Sequence, residues 1–326
     1  MEYELLLTPP GGGSPRDLSG LVQTLSWSGN VDQVARELTG TLCVPRDGSV
    51  EPPALEEGAH LTLRWDGAAR FTGPLLSATT SSQDTLVDFS ALDRGRFLVK
   101  NEGWYKFGSV TPEAATRTLA RDYGIPIKSL AATGTAVSRK FPGTALDKIV
   151  KTLYAMAGER TGKRYLIRFT GEGELEVVER PTSADLSIVS TMGVTNTWDI
   201  TDLQNSVAIR TDTGTLVRRV EDGASVARNG RLEHVIIQRS GQDAGQEAQA
   251  WLRDHGLSQK LTVETLGDPR LISGEAVRLR DTGSGVSGLF WIDADTHTWK
   301  NGQYFCKVTL NFRNLLDDTS AGSEVT

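Results

Sequence analysis

Two stretches of this chain echo one another, and their reading decides the fold: Gly58-Ala59-His60-Leu61-Thr62-Leu63-Arg64 and Gly274-Glu275-Ala276-Val277-Arg278-Leu279-Arg280. Each opens on glycine, carries an apolar residue three positions on, Leu at five and Arg at six. Alternation of this kind has the period of a half-buried strand. Each stretch then turns into an aromatic strand, Arg70-Phe71 in one and Phe290-Trp291 in the other. A strand-turn-strand pattern that recurs points to a duplicated module. The chain is therefore expected to carry two copies of one antiparallel β-barrel.

Working outward from the first copy, Leu61, Leu63 and Trp65 share one strand face, and Val87, Phe89 and Ala91 share another. Asp66-Gly67 and Gly73-Pro74 mark turns between them, so a meander is expected. From about 105 to 185 the pattern changes. Thr111-Pro112-Glu113 supplies a capping hydroxyl, a proline suited to the first helical position and an acid near the positive helix end. Ala115, Leu119 and Tyr123 follow at helical spacing up to Gly124. A second helix is expected from Thr144 through Ile149, Val150, Leu153, Tyr154 and Ala157 to Gly158, then a hairpin of Tyr165–Phe169 and Leu175–Val178. From 186 strands return at Val207–Arg210, Leu216–Val220, Leu232–Ile237, Ala276–Arg280, Leu289–Ile292 and Tyr304–Phe312. One helix interrupts them, Asp243 to Asp254, with Ala244, Ala248, Trp251 and Leu252 on one stripe. The expected fold class is mainly β with an α+β insert. Its segments are an N-terminal barrel domain 1–104, a small α+β domain 105–185, a C-terminal barrel domain with one helix 186–314, and a flexible acidic tail 315–326.

Composition narrows the function. Hydrophobic residues make up 38% of the 326, enough for ordinary cores. The net charge of −6, with both signs interspersed, argues against a nucleic-acid surface, which needs concentrated Lys and Arg. No apolar run approaches the length of a membrane span, and Met1–Pro10 lacks the basic cluster of a signal peptide. Cys43 and Cys306 are the only two cysteines. They exclude a disulfide framework and read as buried thiols in a protein made in a reducing cytoplasm.

Chemistry-bearing motifs are scarce. Gly283-Ser284-Gly285-Val286-Ser287-Gly288 does not match a nucleophile elbow and reads as a hairpin loop. No P-loop, zincin or Cys-x-x-Cys pattern occurs. Asp293-Ala294-Asp295-Thr296-His297 places three metal-ligand types on one face of an extended segment, although Asp at a strand end more often forms a turn. The 41 acidic residues offer accidental carboxylate pairs, and none stands out. Among the tryptophans, Trp65 and Trp251 read as core. Trp104-Tyr105-Lys106-Phe107 sits at the first domain junction, and Trp104, Tyr105 and Phe107 are the candidate contacts for a neighbour. Arg218 and Arg219 are balanced by Glu221 and Asp222. No catalytic residue, cofactor or metal site is expected, and the chain does not read as an enzyme.

The last β segment contains Gly267-Asp268-Pro269-Arg270-Leu271-Ile272-Ser273-Gly274-Glu275-Ala276-Val277, then Gly288-Leu289-Phe290-Trp291-Ile292, His297 and Gly302-Gln303-Tyr304. This run resembles the phage-tail baseplate hub proteins of the XkdQ/YqbQ type, with "G-D-x-x-L-x-x-G-x-x-V", "G-x-F-x-I", His and "G-x-Y" in that order. Leu289 is one residue more than the pattern. The turn Gly162 to Tyr165 after the second helix is also similar. The resemblance implies two tail-tube-like barrels per chain, and three chains forming a ring of six barrels that joins a central spike to the tail tube. The implied partners are the chain itself as a homotrimer, the central spike protein, the tail tube protein, baseplate wedge proteins and the tape-measure protein. The implied location is the baseplate of a virion or phage-tail-like particle, assembled in the bacterial host cytoplasm. Exposed tryptophans and abundant acids support a different class, a carbohydrate- or peptidoglycan-binding or cleaving tail protein, which glycan binding and turnover would distinguish.

Overall fold

The computed structural model describes residues 3–82, 84–189, 191–238, 244–312, 321 and 323. The first β segment contains β1 (Tyr3–Thr8), β2 (Arg16–Asp17), β3 (Val22–Asn30), β4 (Glu37–Cys43), β5 (His60–Trp65), β6 (Ala68–Thr80) and β7 (Leu86–Leu92). The α+β part follows: α1 (Gly95–Lys100), β8 (Glu102–Val110), α2 (Pro112–Asp122), β9 (Ile127–Leu130), β10 (Val137–Ala145), α3 (Leu146–Thr161), β11 (Tyr165–Phe169) and β12 (Leu175–Glu179). The remainder is β13 (Leu186–Ile188), β14 (Thr191–Asp199), β15 (Ser206–Arg210), β16 (Leu216–Glu221), α4 (Gly223–Asn229), β17 (Glu233–Ile237), α5 (Gly245–Asp254), β18 (Ser258–Leu266), β19 (Ala276–Arg280), β20 (Ser287–Lys300) and β21 (Gln303–Asn311). The chain divides into two compact units, Met1–Val194 with Thr262–Thr326, and Thr195–Leu261.

The fold is mainly β, built on a curled half-barrel sheet. Its strand order is β14-β18-β21-β20-β3-β4-β7-β6-β5-β1-β2, with β19 against β20 and β13 against β19. The two β segments therefore share one sheet, because β20 bonds to β3 in antiparallel register from Ala294↔Asn30 to Lys300↔Thr24.

The sequence echo is a structural repeat. Gly58 and Gly274 both hold left-handed backbone, at φ +88° and +94°, where a glycine avoids the Cβ penalty. In each copy the apolar residues at offsets three and five are buried (Leu61 and Leu63, Val277 and Leu279), and the arginine at six is exposed. Each then leads into an unusually long strand, β6 of 13 residues or β20 of 14. The carbonyl after the glycine is met by that strand in both, Leu75 N to Ala59 O and Ile292 N to Glu275 O, each at 2.9 Å. Both long strands bulge immediately afterwards, at Leu76 against β7 and at Asp293 against β21. The strand sets β3-β4-β7-β6-β5 and β14-β18-β21-β20-β19 thus follow one plan.

The α+β part has its own core, in which α3 buries Leu146, Ile149, Val150, Leu153 and Tyr154 against β10 to β12 and α2. Helix α2 begins as its sequence predicts, with the Thr111 hydroxyl accepting from Ala114 N. Helix α3 differs: Thr144 is in β10, the cap position falls to Ala145 without a side-chain bond, and the helix continues three residues past Gly158 to a left-handed Gly162. A glycine with helical neighbours costs about 1 kcal/mol and does not stop a helix that is packed on one face. This part is locked onto the sheet. Gly171 approaches the Ala69 carbonyl so closely that a Cβ would lie 1.9 Å from it. The buried Lys151 Nζ donates to Asp32 O at 2.6 Å, and Arg168 bridges Glu176 and Glu275 at 2.8 Å each.

Ser323 forms an antiparallel bridge with Lys140 on the outer edge of β10, and Arg139 Nε donates to Ala321 O at 2.8 Å. The rest of the expected tail 315–326 lies outside the described residues, as does Asp243 at the expected start of α5. Among the thiols, Cys306 is buried and Cys43 is exposed, contrary to the expectation of two buried ones. Strand alternation explains it: Leu38 and Leu42 of β4 point inward, so Cys43 falls on the outer face.

In the smaller unit, β16-β15-β17 form a three-stranded sheet of their own. Helix α5 packs on it as its stripe predicts, burying Ala244 and Ala248 against Val207, Ile209 and Ile236. Trp251 lies between His234 and His255, with ring centroids 3.6 and 4.0 Å away and nearly parallel planes.

Candidate functional site

The most concentrated buried chemistry lies where β20 crosses from one partner to another. Its first half pairs with β19, from Arg280↔Ser287 to Ala276↔Trp291, and its second half with β3. The bulge at Asp293 makes the change, since an extra residue bends a strand and re-aims the side chains after it. Asp293 is consequently out of phase with Asp295 and His297. It accepts from Asn311 Nδ2 at 2.8 Å and faces Arg180 at 3.6 Å, while its carbonyl receives Val31 N at 2.9 Å. Burial raises its pKa.

Asp295 and His297 point inward and have no exposed side-chain surface. Arg36, just before β4, grips both oxygens of Asp295, with Nη1 to Oδ1 at 3.1 Å and Nη2 to Oδ2. Ser273 N adds a third bond at 2.6 Å, and His297 Nε2 lies 3.2 Å away. Burial alone would raise the pKa of Asp295. The Arg36 charge and the bonds from His297 and Arg36 outweigh it and hold the carboxyl at about 2. His297 Nδ1 is 2.7 Å from the Tyr304 hydroxyl, so a ring carrying its hydrogen on Nε2 donates to Asp295 and accepts from Tyr304. Burial raises both the Tyr304 phenol and the Cys306 thiol well above their ordinary pKa. Trp27 of β3 closes the site, with Arg36 stacked 4.1 Å from its ring and His297 at 4.9 Å.

This constellation bonds strands together, with Asp295 and His297 fully enclosed, while Trp27, Arg36 and Ser273 also line a cavity of about 240 Å³ beside it. A carboxylate held below its ordinary pKa beside a guanidinium is no general base at neutral pH, and a thiol raised by burial is no nucleophile. Among the described residues no group of three potential metal ligands stands together. The guanidinium of Arg36 occupies the position a cation at Asp295 would need.

The other sequence candidates are scattered. Trp104 is 62% exposed on the outer face of β8, with Lys140 Nζ 5.5 Å from its ring. Tyr105 turns inward and donates its hydroxyl to Asp122 at 3.1 Å. Phe107 is buried in the α+β core. Of the three, Trp104 alone offers an open face. Trp65, Trp299, Tyr304 and Tyr3 line a cleft of about 470 Å³ beside the β20–β21 turn. Trp65 and Trp299 are only 4% and 6% exposed, because the rings of the cleft pack on one another, Trp299 and Tyr304 at 4.5 Å and nearly parallel. The sequence offered no sign of Arg36, which belongs to no motif and meets Asp295 across 259 positions, and Ser273 fills an unspecified position of the Gly267–Val277 pattern.

Residues 25–311 match the family model described as YqbQ-like. The chain is 24% identical over 314 residues to the uncharacterized protein YqbQ of Bacillus subtilis (strain 168), covering 91% of this chain and 94% of the relative. It is 25% identical over 312 residues to the phage-like element PBSX protein XkdQ of the same strain, with the same coverage. The crystal structure of the 43 kDa tail protein of prophage MuSo2 from Shewanella oneidensis superposes with a TM-score of 0.71 at 14% identity, over 96% of this chain and 100% of that one. The fold is therefore that of a phage tail protein, and the chain, matched across both β segments and the α+β part between them, belongs to the YqbQ-like family.

Proposed function

We propose that this protein is a structural hub subunit of the baseplate of a phage tail or contractile injection system. In this reading three copies form a ring of six barrel-like modules that joins the central spike to the tail tube and initiates it. The observation that carries it is the repeated strand plan, in which two modules of one chain are already joined edge to edge through β20 and β3. A sheet with free edges is completed by further copies, and cyclic closure removes those edges. The spike, tube, wedge and tape-measure proteins are the partners this role requires, and the particle is the place where it acts, after assembly in the host cytoplasm. Its work is binding and symmetry, without catalysis. Light scattering of the chain, alone and co-expressed with its spike, tests it: a trimer is expected, and a monomer under both conditions overturns the reading.

A glycan-binding role has one observation in its favour, the aromatic cleft at Tyr3, Trp65, Trp299 and Tyr304. It ranks second because those rings already pack on one another.

A further inference from the structure

The repeat makes a prediction about the joint between copies. Within one chain, the second half of β20 pairs with β3, the first strand of the other module. The corresponding strands in the opposite sense are the second half of β6 and β14, the first strand of the second module. Both are free on the relevant side among the described residues. β6 gives its first half to β5, through His60↔Pro74, and its second half to β7, through Leu75↔Ala91 to Thr80↔Val87. The edge of Ser77–Thr80 that corresponds to the β3 side of β20 has no strand. β14 ends the strand order, bonded to β18 alone. The sheet's other end is blunted: β2 pairs with Leu6 and Leu7 of β1, and Leu5 is bonded by Ser19 Oγ and by Leu18 N.

We propose that Ser77–Thr80 of one copy pairs with β14 of a second copy, repeating between chains the β20–β3 joint found within each. This rests on the assembling-subunit reading above and names its interface. The bulges fix the register, because Leu76 corresponds to Asp293 and hence Ser77 to Ala294 and Thr79 to Thr296. β3 and β14 are both nine residues long, so Ser28 corresponds to Thr197. The internal pair Thr296↔Ser28 then maps onto Thr79 with Thr197, and Asp295↔Gly29 onto Ala78 with Trp198. The side chains fit that register. In β3 the inward residues Leu25, Trp27 and Gly29 are buried. Their face in β14 carries Met192, Val194, Asn196 and Trp198, with Asn196 at the place of Trp27; Met192 is 57% and Trp198 66% exposed. A large indole on β14 meets a small Ala78 on β6, whereas in the internal joint the glycine lies opposite the Asp295–Arg36 pair. Two unlike edges that meet head to tail close into a ring when the rotation permits.

Paired chains with one exposed cysteine each, the buried Cys306 being kept, read this contact directly. Full chains carrying Cys43→Ser with Thr79→Cys, and Cys43→Ser with Thr197→Cys, are mixed in equal amounts and oxidised. A disulfide-linked dimer is expected from the mixture and from neither chain alone. An oligomer by light scattering without the mixed cross-link overturns this interface and leaves the assembling-subunit reading intact. A cross-link formed by Thr197→Cys chains alone overturns the head-to-tail arrangement. A chain that stays monomeric in every condition overturns both. Trp198→Glu is expected to abolish the oligomer at an unchanged melting temperature of the monomer. Assembly that survives Trp198→Glu also overturns the proposal.

Discussion

Asp295 has no exposed side-chain surface and keeps its charge, because Arg36, Ser273 N and His297 replace the water it lost. A buried pair of this kind contributes little net stability over apolar side chains, yet removing one partner strands the other. Asp295→Asn is therefore expected to destabilise the larger unit by about 3–5 kcal/mol, because Arg36 then remains buried and uncompensated. A joint replacement, Arg36→Met with Asp295→Leu, should cost far less. Urea unfolding of both variants checks the contrast, and equal losses would show that the pair does not act as one unit. Asp93 is the opposite case. It is 3% exposed, and burial raises its pKa to about 7 despite bonds from the Arg36 and Gly95 backbone and the nearby Arg36 charge. Unfolded, the group releases its proton near pH 4. The folded state thus binds the proton more tightly, and stability from Asp93 is full below about pH 4, falls as pH rises to about 7 and is level above. Asp93→Asn is expected to flatten this slope and to raise the unfolding midpoint at pH 8. An unchanged midpoint at pH 8 would count against a protonated Asp93 in the folded chain.

At the scale of elements, the repeat places equal demands on two glycines whose surroundings differ. Gly58 and Gly274 share left-handed backbone, but a Cβ at Gly274 would lie 2.1 Å from Leu166 and one at Gly58 would lie 3.3 Å from Pro10. Both Ala substitutions pay for the backbone, about 1–3 kcal/mol. Gly274→Ala should cost more, because the end of the buried Leu166 side chain has to be displaced within its packing. A lower melting temperature is expected for Gly274→Ala than for Gly58→Ala, and equal melting temperatures would place the strain in the backbone alone. Strands and helices with strong local signals were legible in the sequence: Leu61-Leu63-Trp65 by alternation, α2 by Thr111-Pro112, α5 by its Ala-Ala-Trp-Leu stripe. The start of α3 was not, because Thr144 offers a cap and β10 takes it instead for pairing with Gly103. β8, β9 and β10 were also missed, since their patterning depends on which strands and helices cover them.

At the scale of the molecule, a mainly β chain with an α+β part between two β segments could be read from the sequence, while the seam between those segments could not. Neither Arg36 nor Asp295 carries local information about a partner 259 positions away, and the bulge that turns β20 toward β3 leaves no mark in its residues. The seam nevertheless governs how the whole sheet should respond to assembly. β3 and β20 already bond on both edges, so their amides have strand partners in the free chain. Ser77–Thr80 and β14 each have a bare edge, and backbone groups that face water open at little cost. Hydrogen exchange on free and assembled protein should then show slow exchange in Thr24–Asn30 and Ala294–Lys300 in both states, with new protection confined to Ser77–Thr80 and β14 on assembly. Protection that appears instead around Trp104 on β8 would assign the joint to the α+β part and make its open aromatic face the contact between copies.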